Sequence, residues 1–489
     1  MRRVTAVLLA ATLLSGCAPE PDVAAPEPVV GFADTLADGV TVAGMDVHLQ
    51  KLQEIADAHD GNRADGSPGY AASVDYVAKA LQDKGFEVQT PEFERLKTLN
   101  SGKPTVTVGG RAFQVDQASL LMQTPAGGVT GPVLKPARSP GCSAADYPAK
   151  AARGGVAVVD DTGCSVVAKQ SAATAKGAAA LVVVSAGGRN GSPPGLFEPD
   201  YYERLAIPVA VIGADGGAAL RRATGPAKVI LDGRTIKLKS RNIVAQTKTG
   251  ATREVVMVGA HLDSVQAGPG GNDNGSGVAA VLEMALQMGA EAPVTNAVRF
   301  AFWGAEEDRL AGSLDYVFGL TRDELNDIAL YLNLDMIGSP NAGYFTYDGD
   351  QSGVAAADVS DDVPVGSEGL ERTLAGYLNL VGKRPADTPL LANTDVSAFL
   401  TAGVPVGGVT TGGPQDKTNV QARLWGGKAG EPFDPNYHSA RDTAKTVNRD
   451  ALALMGSAAA FAVGTYAESI EGVNGVPVRD RRHRPAMGP

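Results

Sequence analysis

The sequence predicts an α/β fold with a central, mostly parallel mixed sheet and helices on both faces. After residue 240, apolar runs alternate with stretches of helical spacing. These runs are almost continuously apolar, as strands are when helices cover both faces of a sheet. The 489 residues, 44% of them hydrophobic, are enough for a large core. We predict strands at 242–247, 254–260, 297–303, 328–334 and 404–410, and helices at 276–288, 369–380 and 449–466.

The first residues of the chain have the pattern of an export signal. Arg2 and Arg3 precede an apolar run, 4–14, that is too short to span a bilayer. The following Leu-Ser-Gly-Cys17 resembles a bacterial lipoprotein signal. We expect residues 1–16 to be removed and Cys17 to be lipidated, which would hold an exported protein on the outside of the cell membrane, with shedding left open. The alternative is an ordinary secretory signal with an incidental cysteine.

The two ends of the mature chain differ from the predicted main domain. Residues 17–40 are rich in proline and predict a flexible tether. Residues 471–489 are basic, and we expect a disordered tail there. The main domain is predicted to comprise residues 41–119 and 236–470. Its first part contains a helix, since Tyr70, Val74, Val77 and Leu81 recur at helical spacing before Gly85.

The spacing of apolar residues changes between residues 120 and 235, and we interpret this stretch as a separate, mainly β insert. Short apolar strands are expected at 155–160, 181–184 and 207–212, with a helix within 166–180. Histidines and paired carboxylates do not cluster in this stretch. It holds the other two cysteines, Cys142 and Cys164, which can form a disulfide in an exported protein. Two free buried thiols are the alternative.

The net charge of −11 argues against nucleic-acid binding. Nucleic-acid binding needs clustered Lys and Arg to displace counterions. We therefore expect no nucleic-acid partner.

Metal-competent side chains follow several of the predicted strands. His261 comes directly after one strand, Glu306 and Glu307 after the next, and Asp335 after a third. Asp273 lies in a glycine-rich turn that opens a helix. Open α/β sheets bind ligands at the carboxyl ends of their strands, and a buried carboxylate there is costly unless it is paired or bound to a cation. His and carboxylate ligands without Cys favour zinc, with cobalt or manganese as alternatives.

Five sequence blocks stand out between residues 259 and 439. They are Gly259-Ala-His-Leu-Asp-Ser-Val265, Gly268-Pro-Gly-Gly-Asn-Asp-Asn-Gly-Ser-Gly277, Trp303-Gly-Ala-Glu-Glu307, Tyr331-Leu-Asn-Leu-Asp-Met-Ile-Gly338 and Phe433-Asp-Pro-Asn-Tyr-His-Ser439. In these blocks and their order, the sequence resembles the two-zinc aminopeptidase family of secreted bacterial leucyl aminopeptidases. The resemblance covers about residues 240–465 and implies a zinc-exopeptidase type of sheet. It also implies two Zn²⁺ ions per chain.

The resemblance assigns a role to each ligand candidate. Asp273 would bridge both metals. His261 and Asp335 would complete the protein ligands of one ion, and Glu307 and His438 those of the other. The peptide bond after Asp273 is implied to be cis.

Three further residues match the family's catalytic machinery. Glu306 matches the general base that takes a proton from the attacking water. Tyr437 matches a residue that hydrogen-bonds the tetrahedral intermediate, although ordinary packing would also explain a tyrosine there. Asp263 resembles the acid that orients a metal-bound imidazole, and capping the turn is compatible with the same position.

The chain also departs from the family pattern. Asn436 and Arg441 stand where members often carry cysteines on either side of the Tyr-His pair, so the His438 loop must be held in another way. A Ser-Asp-His stretch of the family appears as Asn393-Thr394-Asp395-Val396, without its His. The insert resembles a protease-associated domain, which suggests a lid or substrate-docking role; a packing module is equally admissible.

The resemblance implies a metal-dependent aminopeptidase that hydrolyses the first peptide bond of peptides with a free N-terminus. Water activated by two zinc ions would attack, with Glu306 as base. A two-zinc carboxypeptidase or dipeptidase on the same scaffold is the alternative, although no motif identifies the Arg that would bind a substrate carboxylate. A non-catalytic binding protein would be expected to have lost ligands, and all five are present.

Overall fold

The computed structural model describes residues 31–149, 153–185, 193, 195–353, 363–390 and 393–484. The predicted signal peptide and Cys17 lie outside these residues. The helices are α1 Phe32–Gly39, α2 Val42–Ala58, α3 Pro68–Asp83, α4 Val166–Thr174, α5 Ala214–Arg222, α6 Gly275–Met288, α7 Ala311–Gly319, α8 Arg322–Asp327, α9 Ser367–Leu380, α10 Val396–Thr401, α11 Asn419–Trp425 and α12 Arg449–Glu468.

The strands divide the described chain into two large sheets and one ribbon. They are β1 Glu87–Gln89, β2 Glu92–Asn100, β3 Thr105–Val108, β4 Arg111–Gln114, β5 Asp116–Gln117, β6 Val129–Leu134, β7 Gly155–Asp160, β8 Ala178–Ser185, β9 Val209–Gly213, β10 Pro226–Ile230, β11 Arg234–Arg241, β12 Ile243–Gln246, β13 Ala251–His261, β14 Asn296–Trp303, β15 Ile328–Leu334, β16 Phe345–Tyr347, β17 Ala386–Thr388 and β18 Val406–Thr410.

The first sheet has the order β1-β12-β14-β13-β15-β18-β16-β17. Its centre is parallel, with β14, β13, β15 and β18 side by side, and its other pairs include antiparallel ones. Alternate residues of each central strand face opposite layers: Val256 and Val258 pack under α2, α6, α9 and α12, whereas Met257 faces α7, α8 and α10. The predicted mixed α/β sheet with helices on both faces is confirmed.

Several helices, α3 and α12 among them, begin at a residue whose side chain caps the first turn. Ser67 accepts the backbone N–H of Tyr70 at the start of α3, and Pro68 occupies the first turn, where a missing N–H costs nothing. Asn448 caps α12 by accepting the N–H groups of Asp450 and Ala451. The apolar helix α12 is long enough to cross a membrane, but its residues are largely buried in the core against the first sheet.

The second sheet has the order β4-β3-β10-β6-β7-β8-β9-β5, with β6 to β9 parallel. It begins at Thr105 rather than at residue 120, because β3 pairs with β10 and β4 pairs with β3 at the edge of the sheet. The helix expected within 166–180 ends at Thr174, where the chain turns into β8. The ribbon, antiparallel β2 and β11, joins the second sheet to the main domain.

Two boundary predictions are wrong. Residues 32–39 of the expected tether form α1, because Phe32 and Leu36 bury their side chains against α12. The described part of the expected disordered tail is also ordered: Arg482 and Arg484 are buried, and Arg482 pairs with Glu254 at the base of β13. The basic composition of this segment predicts a solvated tail, yet Arg482 and Arg484 donate to the backbone oxygens of Asn326 and Leu325 on α8.

Candidate metal centre

The parallel centre of the first sheet brings the strand-end residues to one edge. His261 is the last residue of β13 and is paired with Trp303, the last residue of β14. Glu306 and Glu307 follow three and four residues later, and Asp335 directly follows β15 on the other side of β13. Asp273 lies just before α6. The convergence expected from strand order is therefore present.

The side chains form two groups that share one carboxylate. His261 Nε2 lies 3.2 Å from Asp273 Oδ1 and 3.6 Å from Asp335 Oδ1. His438 Nε2 lies 3.2 Å from Asp273 Oδ2 and 3.2 Å from Glu307 Oε2. Within each group, one ligand atom per residue falls within 4.8 Å of the others. Asp273 thus turns one oxygen toward each histidine.

The electrostatics of the two groups fit cations. Glu307 Oε1 and Asp335 Oδ1 are buried and have no hydrogen-bond partner among the described residues. Burial raises the pKa of Glu306 well above its usual range, and neighbouring acids add to the effect. Burial opposes protonation of His438, but its bonds to Asp273 and Glu307 raise its pKa to about 10. Buried carboxylate oxygens without a hydrogen-bond partner favour a cation, and a ligand set of histidine nitrogens and carboxylate oxygens without sulfur matches zinc.

Asp263 fixes the turn that follows β14 as well as contacting the histidine loop. Its two carboxylate oxygens accept the backbone N–H groups of Glu306, at 3.1 Å, and Glu307, at 3.4 Å. The ring Nδ1 of His261 lies 3.0 Å from the Asp263 backbone oxygen and 3.7 Å from its carboxylate. The turn-capping interpretation of Asp263 therefore has direct contacts, while the imidazole is oriented chiefly through the backbone oxygen.

Two aspartates that the sequence analysis did not single out hold the Asp273 turn. Asp442 accepts the backbone N–H of Asn272 at 2.7 Å and that of Asp273 at 3.0 Å. Asp434 accepts from the Asn272 side chain at 2.7 Å. The bond between Asp273 and Asn274 is cis, as the resemblance implied. The available signal was position, because Asp434 and Asp442 lie four residues on either side of His438.

Arg63 is a further residue that the sequence analysis missed. It is fully buried and donates to the backbone oxygens of Leu262, Pro269 and Gly270. These oxygens belong to the loop after His261 and to the glycine-rich turn before Asp273, so one side chain ties both loops together. Its charge also lies near those of Asp263, Asp273 and Asp442.

The loop that carries His438 is closed without a disulfide. Arg441 donates to the Pro435 oxygen at 2.9 Å, and the Asn436 N–H donates to Asp434 Oδ1 at 2.8 Å. His438 itself adopts a φ of 52°. The two residues that replace the family's cysteines thus hold the loop through hydrogen bonds.

Tyr437 and Asp395 occupy different depths of the site. The Tyr437 ring stacks on His438 with centroids 3.7 Å apart and lines the cavity. Asp395 is 1% exposed behind the cavity wall, and burial raises its pKa to about 7. Its Oδ1 has no hydrogen-bond partner among the described residues.

The two groups open into a cavity of about 850 Å³. One part of its wall is apolar, formed by Leu310, Leu314, Met336, Phe345 and Phe433. A cavity of this size accommodates a short peptide, with an apolar side chain against this wall.

The disulfide predicted in the insert is present. Cys142 and Cys164 are joined with their Cα atoms 6.0 Å apart, beside the second sheet. The disulfide therefore lies beside a different sheet from the one whose edge carries the metal-competent residues.

Comparisons with known proteins agree on one family. The profile of peptidase family M28 matches residues 242–463, and the PA domain profile matches residues 129–220. The chain is 48% identical over 461 residues to a Mycobacterium tuberculosis protein named probable lipoprotein aminopeptidase LpqL, spanning 93% of this chain and 90% of that protein. It is 39% identical over 433 residues to an aminopeptidase of Pseudomonas aeruginosa, spanning 84% of this chain and 78% of that protein.

A solved structure supports the same fold. The zinc aminopeptidase BSAP from Bacillus subtilis superimposes with a TM-score of 0.51 and 23% identity, over 88% of this chain and 95% of that one. The 48% identity to LpqL over 93% of this chain, together with the M28 profile match, establishes the family. The chain belongs to peptidase family M28 and carries a PA domain.

Proposed function

We propose that this protein is a two-zinc aminopeptidase that removes the first residue from peptides with a free N-terminus. The observation that carries the proposal is the shared carboxylate: Asp273 turns its two oxygens toward His261 and His438, 3.2 Å from each. His261, Asp273 and Asp335 would hold one ion, and Asp273, Glu307 and His438 the other. The names of the aminopeptidase relatives support the reaction, and that of BSAP supports zinc.

The bound cations supply one kind of chemistry to this site. Two zinc ions would lower the pKa of a water molecule and stabilise negative charge on a substrate oxygen. The remaining steps belong to the side chains of the chain itself.

Glu306 is positioned to move the proton. Its carboxylate lines the cavity, 3.9 Å from His261 Nε2, and its backbone N–H is fixed by Asp263. We infer that it takes a proton from the attacking water and passes it to the leaving amine nitrogen. Tyr437 lines the same cavity, where its hydroxyl can donate to the oxygen that gains charge in the tetrahedral intermediate.

The substrate's ammonium group fits the acidic character of the site. Glu306 faces the cavity at the His261 end and Asp395 is buried behind its wall, and neither forms an ion pair with Lys or Arg among the described residues. An α-ammonium group placed there would gain a charged partner and would set the first peptide bond over the metals. Carboxypeptidase or dipeptidase activity on the same scaffold is the second candidate, favoured only by the presence of Arg309 in the cavity wall.

The location proposed for the protein rests on sequence and on one relative. LpqL is named a probable lipoprotein aminopeptidase, and the match to it spans 93% of this chain. We propose that Cys17, which lies outside the described residues, carries the lipid that holds the exported enzyme on the cell membrane.

A peptide assay tests the reaction. The purified protein should release leucine from a leucyl peptide and not from its N-acetylated form, and a zinc chelator should abolish the release. Metal analysis should find two zinc ions per chain. Equal cleavage of acetylated and free peptides, or release from the C-terminal end, would contradict an aminopeptidase. A metal content of one ion would contradict the two-ion site while leaving the reaction intact.

A further inference from the structure

One positively charged side chain stands at the mouth of the acidic cavity. Arg309 is exposed and lines the cavity two residues after Glu307. Among the described residues it is the only Arg or Lys in the cavity wall. Its guanidinium group therefore faces the space that the peptide must occupy.

The Arg309 side chain has no hydrogen-bond or ion-pair partner in the part of the chain that the structure describes, although Glu307 and Asp308 directly precede it in the chain. The neighbouring Asp308 is engaged by two cations of the ribbon: Arg95 lies 2.6 Å away and Lys97 lies 3.8 Å away. Glu307 faces His438 at 3.2 Å. Asp308 and the Oε2 atom of Glu307 thus pair with other cationic or histidine side chains, and the guanidinium group remains available to a ligand.

The backbone at Arg309 is strained. Its φ is 68°, and that of Leu310 is 60°. This left-handed conformation crowds any residue that has a Cβ, whereas glycine adopts it freely. Strained residues that persist cluster at functional sites, where the side chain has a use that glycine cannot supply.

We propose that Arg309 is a specificity residue that binds a carboxylate on the leaving side of the scissile bond. The carboxylate is either the C-terminus of a dipeptide or the side chain of an acidic second residue. A cation repels the substrate's α-ammonium group, so Arg309 serves the other end of the substrate. Its exposure at the rim agrees with this, because the leaving part of a peptide extends toward solvent. The proposal rests on the aminopeptidase function and names its preferred substrates.

Pairs of substrates that differ in one charge provide the test. Leu-Gly is compared with Leu-Gly-amide for the C-terminal carboxylate, and Leu-Asp-amide with Leu-Asn-amide for the acidic side chain. The comparison of Glu-Gly-amide with Gln-Gly-amide tests whether Arg309 instead binds an acidic side chain on the first residue. The variants are Arg309→Gly, which removes the backbone strain together with the charge, and Arg309→Gln, which keeps the strain and removes only the charge. Arg423→Gln is the control, since Arg423 is exposed on α11 outside the cavity wall.

We expect the wild-type enzyme to have a kcat/KM about 10-fold higher for the charged member of at least one leaving-side pair, because a charge-assisted hydrogen bond contributes that much at an exposed site. The difference should lie in KM. Both Arg309 variants should lose this difference through a lower kcat/KM for the charged member of the pair, and Arg309→Gly should melt no earlier than the wild type. Arg309→Lys should restore part of the preference.

Two outcomes would overturn the assignment. Equal rates for both members of each leaving-side pair in the wild type would show that Arg309 reads no carboxylate there. A preference confined to the Glu and Gln pair would place Arg309 beside the first residue instead. Hydrolysis of Leu-Gly-amide by the wild type tests the aminopeptidase function separately, so failure of one proposal is distinguishable from failure of the other.

Discussion

The two large sheets of this protein differ in whether an acid at a strand end has a hydrogen-bond partner. In the second sheet, β7 ends at Asp160, which pairs with Arg221 and accepts a hydrogen bond from Ser139 at 3.1 Å. In the first sheet, β15 is followed by Asp335, whose buried Oδ1 has no hydrogen-bond partner among the described residues and lies 3.6 Å from His261 Nε2. A carboxylate paired within the fold is structural, whereas a buried one left without a cation requires a ligand. An acid at a strand end therefore indicates a functional site only when its carboxylate also lacks a hydrogen-bond partner within the fold.

The largest test of this comparison exchanges one carboxylate in each sheet for an amide. Glu306→Gln should lower kcat by about 100- to 10,000-fold, because the proton acceptor is lost. The zinc content should stay unchanged, since Glu306 is not a proposed ligand. Asp160→Asn, the control at a strand end of the second sheet, should leave kcat unchanged. Near wild-type activity of Glu306→Gln would remove Glu306 from the role of base.

The disulfide tests whether the two sheets are energetically separate. Replacing Cys142 and Cys164 by Ser should lower the free energy of unfolding of the second sheet by about 3 kcal/mol, since the bridge closes a loop with a sequence separation of 22. The only two tryptophans, Trp303 and Trp425, lie outside that sheet. Their fluorescence transition in denaturant should therefore stay in place while the circular dichroism transition broadens toward lower denaturant. A parallel shift of both signals would show that the sheets unfold as one unit.

The third test concerns residues that hold the proposed ligands in place. Asp442→Asn should weaken zinc affinity by about 10- to 100-fold, because an amide can accept only one of the two N–H bonds that fix Asn272 and Asp273. Competition with a chelator measures the change. Asp161→Asn, at a buried acid of the second sheet, is the matched control. Unchanged zinc retention in Asp442→Asn would show that the turn keeps its shape without the clamp.

The smallest expected effect comes from an acid that is not a proposed ligand. Burial raises the pKa of Glu371 on α9 to about 7; the charges of Asp350 and Asp387 add to this, while the N–H groups of Gly349 and Asp350 oppose it. The folded protein then holds a proton that the unfolded chain has released, so this group makes stability fall as pH rises from about 4.5 to about 7.

Glu371→Gln removes this contribution. The variant should gain on the order of 2 °C in Tm at pH 8 relative to the wild type and nothing at pH 4. Thermal unfolding across this pH range measures the difference, with Glu368→Gln on the same helix as the control. Parallel Tm curves for Glu371→Gln and the wild type would contradict the assignment.

The sequence predicted the first sheet and the residues at its edge because those signals are local. An apolar run, a strand end and a histidine or carboxylate are adjacent in the chain. Arg63 was missed because its three acceptors are backbone oxygens about 200 residues away in sequence. No local pattern distinguishes such an arginine from a solvated one.

The boundaries failed for a related reason. The start of the second sheet at Thr105 depends on pairing with β10, which a short polar hairpin does not reveal. The helix α1 was hidden by proline-rich neighbours, although Phe32 and Leu36 have helical spacing. In the tail, composition was misleading: Arg482 looks solvated by type, yet it is buried against Glu254.

The ribbon gives the molecule a property useful for protein engineering. Asn100 at the end of β2 and Arg234 at the start of β11 are cross-strand partners, so the chain leaves for the second sheet and returns at the same place. Facing Cα atoms in an antiparallel pair are only about 5 Å apart, a gap that a two-residue turn closes. Residues 101–233 are thus topologically a long hairpin loop. We expect that they can be excised, or exchanged for another module, while β2 and β11 stay paired.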